Sequence, residues 1–396
     1  MKISTAICAL AGCLAMTQPV ESADMIVAKK TFEMPELTTV GGKTIKNIKV
    51  GWESYGTLNA DKSNAILVNH FFSGTSHAAG KYAAEDKLAG YWDTIIGPGK
   101  AIDTDRYFVM SSDTLVNLNT GDPHVVTTGP ASIDAATGKP YGMSFPLVTI
   151  GDMVKVEKAL VDSLGIKKLH TVMGPSMGGL QTYEWAASYP DMMERIMPVI
   201  SAAEMDPWLI QWLNLWAAPI LLDPKWNNGD YHGKEPPLAG LAQALKVISL
   251  QANHYQWAEK TFGVALAEEG KDPLAAYGNK FKIEAALDAG GAARAASADA
   301  NHLLYLVKAN QTFVPGSAAG VKTAAEGIKR IKARTLIFYS PTDQVFAADW
   351  VKATIAALKA NGDDVDSGEI AGPLGHLNGV ALMAPLGPRI AAFLGK

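Results

Sequence analysis

Ser176 stands in Gly174-Pro175-Ser176-Met177-Gly178, a G-x-S-x-G pentad between an apolar run at 169–173 and a helix-favouring run at 179–188. Strand, tight turn and helix in that order describe a nucleophile elbow, in which a strained turn lifts the serine hydroxyl clear of a sheet. The two glycines fit that turn, because side chains there would meet the adjoining strand and helix. The pentad alone is a weak signal in a chain with 37 glycines; its strand–turn–helix setting gives it meaning.

A serine hydroxyl attacks only when a base takes its proton and an acid holds that base. Behind an elbow the partners come in the order acid, then histidine, each in a loop past the C-terminal end of a strand. Of the eight histidines, only His376, in Gly372-Pro-Leu-Gly-His376, follows the long helical stretch described below. Asp343, in Ser340-Pro-Thr-Asp343 after the apolar run RTLIFY, satisfies the condition for the acid. Asp349 is the fallback, although it falls where the next helix begins and reads better as a cap. An oxyanion hole requires two backbone N–H groups. Met177, the residue after the nucleophile, supplies one, and the loop Asn69-His70-Phe71-Phe72-Ser73-Gly74 supplies the other, from Phe72 or Phe71. His70 reads as a brace for that loop.

The elements that must position these residues follow from periodicity. Residues 25–52 are strand-like around a Gly41-Gly42 turn, and 65–69, 107–111, 196–200 and 334–340 are short apolar runs of buried-strand type. Residues 149–164, 349–360 and 388–394 read as helices, 368–371 as a short strand, and 117–146 as a long loop rich in Gly, Pro, Thr and Asp. Strands alternating with helices predict an α/β class: a mostly parallel sheet covered on both faces, in a core of 24–202 and 330–396. Residues 203–329 carry only helical patterns and form an inserted lid. Trp208, Trp212 and Trp216 recur there at i, i+4 and i+8, which places them on one helix face, as core packing or as the wall of an apolar pocket.

Composition narrows the function. A net charge of −4, from 35 Lys+Arg against 39 Asp+Glu, gives no basic field, and nucleic acid is not an expected partner. Lys2, an apolar run at 3–16 and small residues near 22 and 23 form a secretory leader over 1–23, too short to span a bilayer. Leu10-Ala-Gly-Cys13 also resembles a lipobox; only lipidation of Cys13 would tie the protein to a membrane. Both cysteines, Cys8 and Cys13, lie in this leader, so the mature chain is expected to have no disulfide and no cysteine chemistry. No clustered ligand set suggests a metal, and no phosphate-cradling glycine loop suggests a nucleotide; no cofactor is expected.

The motifs together resemble the homoserine O-acetyltransferase family of α/β-hydrolase-fold proteins. The resemblance rests on GYWDTIIGPGKAID at 90–103, TGPAS at 128–132, TGKPYG at 137–142, GPSMGG at 174–179 and DPKWNNGDY at 223–231. It covers roughly 45–232 and 334–396, and implies Ser176 as nucleophile, Asp343 as acid, His376 as base, an oxyanion hole from Met177 and Phe72, and a lid that often mediates homodimers.

Two positions depart from that family. Its homoserine carboxylate is held by an arginine six residues ahead of the lid Asp-Pro, where this chain has Ala217, and no arginine occurs between Arg195 and Arg294. The family also places an aspartate directly after the catalytic histidine, where this chain has Leu377. Losing two charged contacts costs several kcal/mol of recognition, on the order of what separates a substrate from a non-substrate. The expected pocket is therefore apolar, bounded by Phe71, Trp208, Trp212, Trp216, Ala217 and Leu377. An exported enzyme would also not meet acetyl-CoA. The expectation is a secreted or periplasmic serine hydrolase of a small, uncharged or apolar acyl substrate. An O-acyltransferase and a non-catalytic binder of apolar ligands are the rivals.

Overall fold

The structure is a computed structural model that describes residues 25–395; the segment expected to be a leader (1–23) and Cys13 lie outside the described residues. The apolar runs pair into one eight-stranded sheet. Its strands in chain order are β1 (Lys30–Thr38), β2 (Thr44–Tyr55), β3 (Ala65–Asn69), β4 (Phe108–Ser112), β5 (Leu169–Pro175), β6 (Met193–Val199), β7 (Arg334–Tyr339) and β8 (Val365–Glu369). Their spatial order is β1-β2-β4-β3-β5-β6-β7-β8. β1 and β2 form an antiparallel hairpin about the Gly41-Gly42 turn, β2 joins β4 antiparallel, and every later pairing is parallel.

Burial explains the composition of the strands. AILVN of β3 is buried at every position because helices cover both faces of the middle of the sheet. Helix α1 (Ile150–Ser163) starts at a capping box in which Thr149 and Asp152 exchange hydrogen bonds. Helix α2 (Met177–Ser188) is buried along its whole length, which is why it lacks an amphipathic pattern. β8 lies at 365–369, a few residues before the strand expected at 368–371. Its sequence, VDSGE, is that of a half-exposed edge strand, and its register with β7, Thr335↔Val365 through Tyr339↔Glu369, decides its limits.

Between β6 and β7 the chain leaves the sheet and forms α3 (Pro207–Leu222), α4 (Leu238–Ala252), α5 (Tyr255–Phe262), α6 (Lys282–Ala295), α7 (Ala300–Gln311) and α8 (Ala324–Ile328). After β7 come α9 (Ala348–Ala360), β8 and α10 (Gly387–Leu394). The parallel register sets the ends of β3, β4, β5, β6 and β7 along one edge of the sheet, and the helices of the β6–β7 insertion stand over it. That edge is where an α/β sheet places a site.

Candidate active site

The turn after β5 holds Ser176 at φ 57°, ψ −120°, in the left-handed region that a side chain normally avoids. The strain persists because the surroundings leave no alternative. A Cβ at Gly174 would lie 2.4 Å from the Asn69 carbonyl oxygen, and one at Gly178 would lie 2.2 Å from the same atom. β3 and α2 are therefore pressed together across the turn, and the serine is pushed out over the sheet edge.

Ser176, Asp343 and His376 come from the ends of β5 and β7 and from the loop after β8, and meet in one hydrogen-bonded line. His376 Nδ1 donates to Asp343 Oδ2 at 2.7 Å, and Ser176 Oγ lies 2.8 Å from His376 Nε2, where it can donate its proton. The other carboxylate oxygen, Asp343 Oδ1, accepts from the N–H groups of Val345 and Phe346 at 2.7 and 2.9 Å. Those two bonds fix the carboxylate plane, and the Phe346 ring stacks at 6.0 Å on the imidazole. Asp349, the fallback, is exposed in the first turn of α9, and Ala347 rather than Asp349 occupies the cap.

The loop after β3 carries Phe71 and Phe72. Among the described residues, neither the Phe72 N–H nor the Met177 N–H meets a protein acceptor, so both are available to a developing oxyanion. His70 does brace this loop. It donates from Nδ1 to the Phe71 carbonyl at 2.7 Å, and its Nε2 accepts from the Thr114 N–H and from Asn117 Nδ2, both at 3.2 Å. Burial pushes its pKa down to about 4, so it holds this neutral tautomer across the physiological range. Asn117 also donates to the Gly74 carbonyl, and Asn119 to that of Ser73. The Phe72 ring packs edge-on against Trp216, tying the loop to α3.

Ser176 and His376 open into a cavity of about 490 Å³. Of the expected pocket residues, Phe71, Trp216 and Leu377 line it, and Phe72 joins them; Trp208, Trp212 and Ala217 do not. Trp208 is 62% exposed, whereas Trp216 is buried. Geometry accounts for this difference. Four residues overshoot a full helical turn by about 40°, so a strict i, i+4, i+8 stripe winds off its face. The buried face of α3 is Leu209, Leu213, Trp216, Ala217 and Ile220. Ala217 is thus packed inside the lid, outside the cavity wall.

Three features of the site were missed in the sequence. Trp257 and Phe262 of α5 form part of the wall, and nothing local to that short helix signals it. Asn378, two residues after His376, ties the loops of the acid and the base together: its Oδ1 accepts from the Leu374 N–H, and its Nδ2 donates to Ser340 Oγ and the Gly372 carbonyl. Its proximity to His376 was the available clue. Arg294 of α6 reaches the cavity, and in the sequence it only marked the end of an arginine-free interval.

The sheet order, the strained serine turn and the serine–histidine–aspartate line at the sheet edge define an α/β-hydrolase-fold protein, and residues 66–367 match the family model for the alpha/beta hydrolase fold. Within that fold the chain belongs to the homoserine O-acetyltransferase family. It is 38% identical to the homoserine O-acetyltransferase of Methanococcoides burtonii over 86% of this chain and 68% of that one. The structure of homoserine O-acetyltransferase from Bacillus anthracis superposes with a TM-score of 0.88 at 34% identity, covering 94% of this chain and 98% of that one. The structure of an enzyme titled esterase E22 superposes with a TM-score of 0.89 at 48% identity, covering 93% of this chain and 100% of the other.

Proposed function

We propose that this chain is a serine esterase that descends from an acetyltransferase scaffold and hydrolyses esters with a largely apolar body. The observation that carries this reading is Leu377, an aliphatic side chain beside His376, in a cavity wall that holds no carboxylate among the described residues. Nothing there would receive the amine of an amino-acid acceptor, so water is left to accept the acyl group. The 48% identity to a protein titled an esterase, against 34–39% for relatives titled homoserine O-acetyltransferases, supports the same choice.

In this mechanism His376 Nε2 takes the Ser176 proton as Oγ attacks the ester carbonyl. Asp343 holds the imidazole in the required tautomer and stabilises the imidazolium that forms. The Phe72 and Met177 N–H groups receive the oxyanion, a contribution on the order of 3 kcal/mol for each donor. Collapse expels the alcohol with the proton from His376 and leaves an acyl-enzyme. His376 then activates a water, and the carboxylic acid leaves. The leader at 1–23 belongs to the same reading, because export would remove the protein from acetyl-CoA; N-terminal sequencing of secreted material should begin near residue 23 or 24.

The test is hydrolysis of short p-nitrophenyl esters, with Ser176→Ala alongside and a fluorophosphonate as active-site label. Turnover and labelling that both vanish in the variant are expected; equal rates for the two proteins would sink the mechanism. The names of the curated relatives favour a second reading, an O-acyltransferase. It would win if acetyl-CoA plus homoserine released free thiol faster than the esters are hydrolysed.

A further inference from the structure

Arg294 is the one formal cation in the cavity wall, and no acidic residue lines that wall among the described residues. The lid shares this wall through Ala286 and Leu287 of the same helix α6, Ile248 of α4, and Trp257 and Phe262 of α5. Among the described residues the guanidinium makes a single hydrogen bond, from Nη1 to Ser249 Oγ at 2.9 Å, and Ser249 Oγ is itself anchored by donating to the Leu245 carbonyl at 2.7 Å. No carboxylate among the described residues lies within ion-pair reach of it, although the exposed lysines of this chain find partners freely. Burial works against its charge, yet an arginine stays protonated at any physiological pH. Of the five N–H donors of this half-buried guanidinium, one meets a protein acceptor among the described residues, which leaves the others to whatever fills the cavity.

We propose that Arg294 is an anion-recognition residue, and that the preferred ester carries a carboxylate on the part that lies against the lid. The assignment rests on the esterase reading above for the word ester, but the anion site itself does not depend on turnover. The Ser176–His376 end of the cavity reacts with the ester carbonyl, while the α4–α6 wall pairs with the carboxylate through the free edge of the guanidinium. Apolar side chains between them cover the connecting carbons. This arrangement selects half-esters of short dicarboxylic acids, or esters of hydroxy acids, over neutral esters of the same length.

The binding arm uses the Ser176→Ala protein, which cannot turn over, and compares monomethyl glutarate with dimethyl glutarate by calorimetry. The anionic ligand is expected to bind about 10- to 100-fold more tightly, the range of one charge-assisted hydrogen-bonded pair. Adding Arg294→Met should erase the preference without weakening the neutral ligand, and Arg294→Lys should restore part of it. Arg294→Gln serves in place of the methionine variant if the latter does not fold. Equal affinity for the two ligands, or a preference that survives loss of the guanidinium, would overturn the proposal. The kinetic arm measures kcat/KM of the wild type on the same two esters. If neither is hydrolysed while the binding preference holds, the esterase reading fails and the anion site stands.

Discussion

Replacing Asn378 by alanine would separate the geometry of the serine–histidine–aspartate line from its chemistry. The side chain is fully buried, touches none of the reacting atoms, and spans the two loops that carry Asp343 and His376. Three short hydrogen bonds disappear in the variant, together with a longer one to the Ile370 carbonyl at 3.5 Å, leaving the Leu374 N–H, the Gly372 carbonyl and Ser340 without that partner. At about 1 kcal/mol for each bond, the expected loss of stability is about 3 kcal/mol. The larger effect falls on catalysis. His376 follows Leu374 and Gly375 directly, so slack in this loop moves the imidazole relative to Ser176 and Asp343. A displacement on the order of 1 Å at such a site lowers kcat by about 100-fold. KM should change less than kcat, because most of the cavity wall comes from the lid helices and the loop after β3, which the variant leaves in place. The assay is p-nitrophenyl ester turnover for kcat and KM, with urea unfolding on the same preparation. A folded Asn378→Ala protein with kcat within about twofold of the wild type would show that the loop needs no tie, and would remove Asn378 from the set of positioning residues.

Two further predictions concern buried charge. Lys29 reaches Glu53 at 2.8 Å and Asp113 at 3.6 Å, both carboxylates being fully buried, so Lys29→Met should cost about 3–5 kcal/mol in urea unfolding; a loss under about 1 kcal/mol would refute the role. Burial opposes the charge of Glu53, but the hydrogen bond from His77 and the Lys29 ammonium together hold its pKa at about 2, below the ordinary 4.5. The stability this contributes is complete above pH 4.5 and is lost as pH falls toward 2, a limb that should be shallower in the methionine variant. Glu157 shows the opposite sign. Burial raises its pKa to about 8; the one hydrogen bond it receives, from Trp185 Nε1 at 2.6 Å, only partly offsets this. Its folded form keeps a proton that the unfolded chain releases near 4.5, so wild-type stability falls as pH rises from 4.5 through about 8. Glu157→Gln mimics the protonated acid and should gain on the wild type across that window, by a few kcal/mol at most; a constant difference between the two would refute the assignment.

The serine–histidine–aspartate line was legible in the sequence because the place of each residue depends on local order. A strand, a glycine-flanked serine and a helix can be read from about twenty consecutive residues, and the acid and base follow in chain order past later strands. Ser176, Asp343 and His376 come together because parallel strands must end on one edge of the sheet, a rule that periodicity alone can invoke. The placing of Met177 and of the Phe71-Phe72 loop at that edge follows from the same rule. The pocket did not yield to this reading. Trp208, Trp212 and Trp216 share a helix and a spacing, yet only Trp216 reaches the cavity, because the direction a lid helix faces is decided by what it packs against. Ala217, expected in the pocket, lies outside the wall. Arg294 carried no local signal. It becomes a candidate for recognition only when α4, α5 and α6 come together in one largely apolar wall, where its guanidinium has a single partner among the described residues. Sequence alone determined which groups meet at the sheet edge, since their places are tied to turns and strand ends; tertiary packing decided what they face, since that depends on contacts between helices distant in the chain.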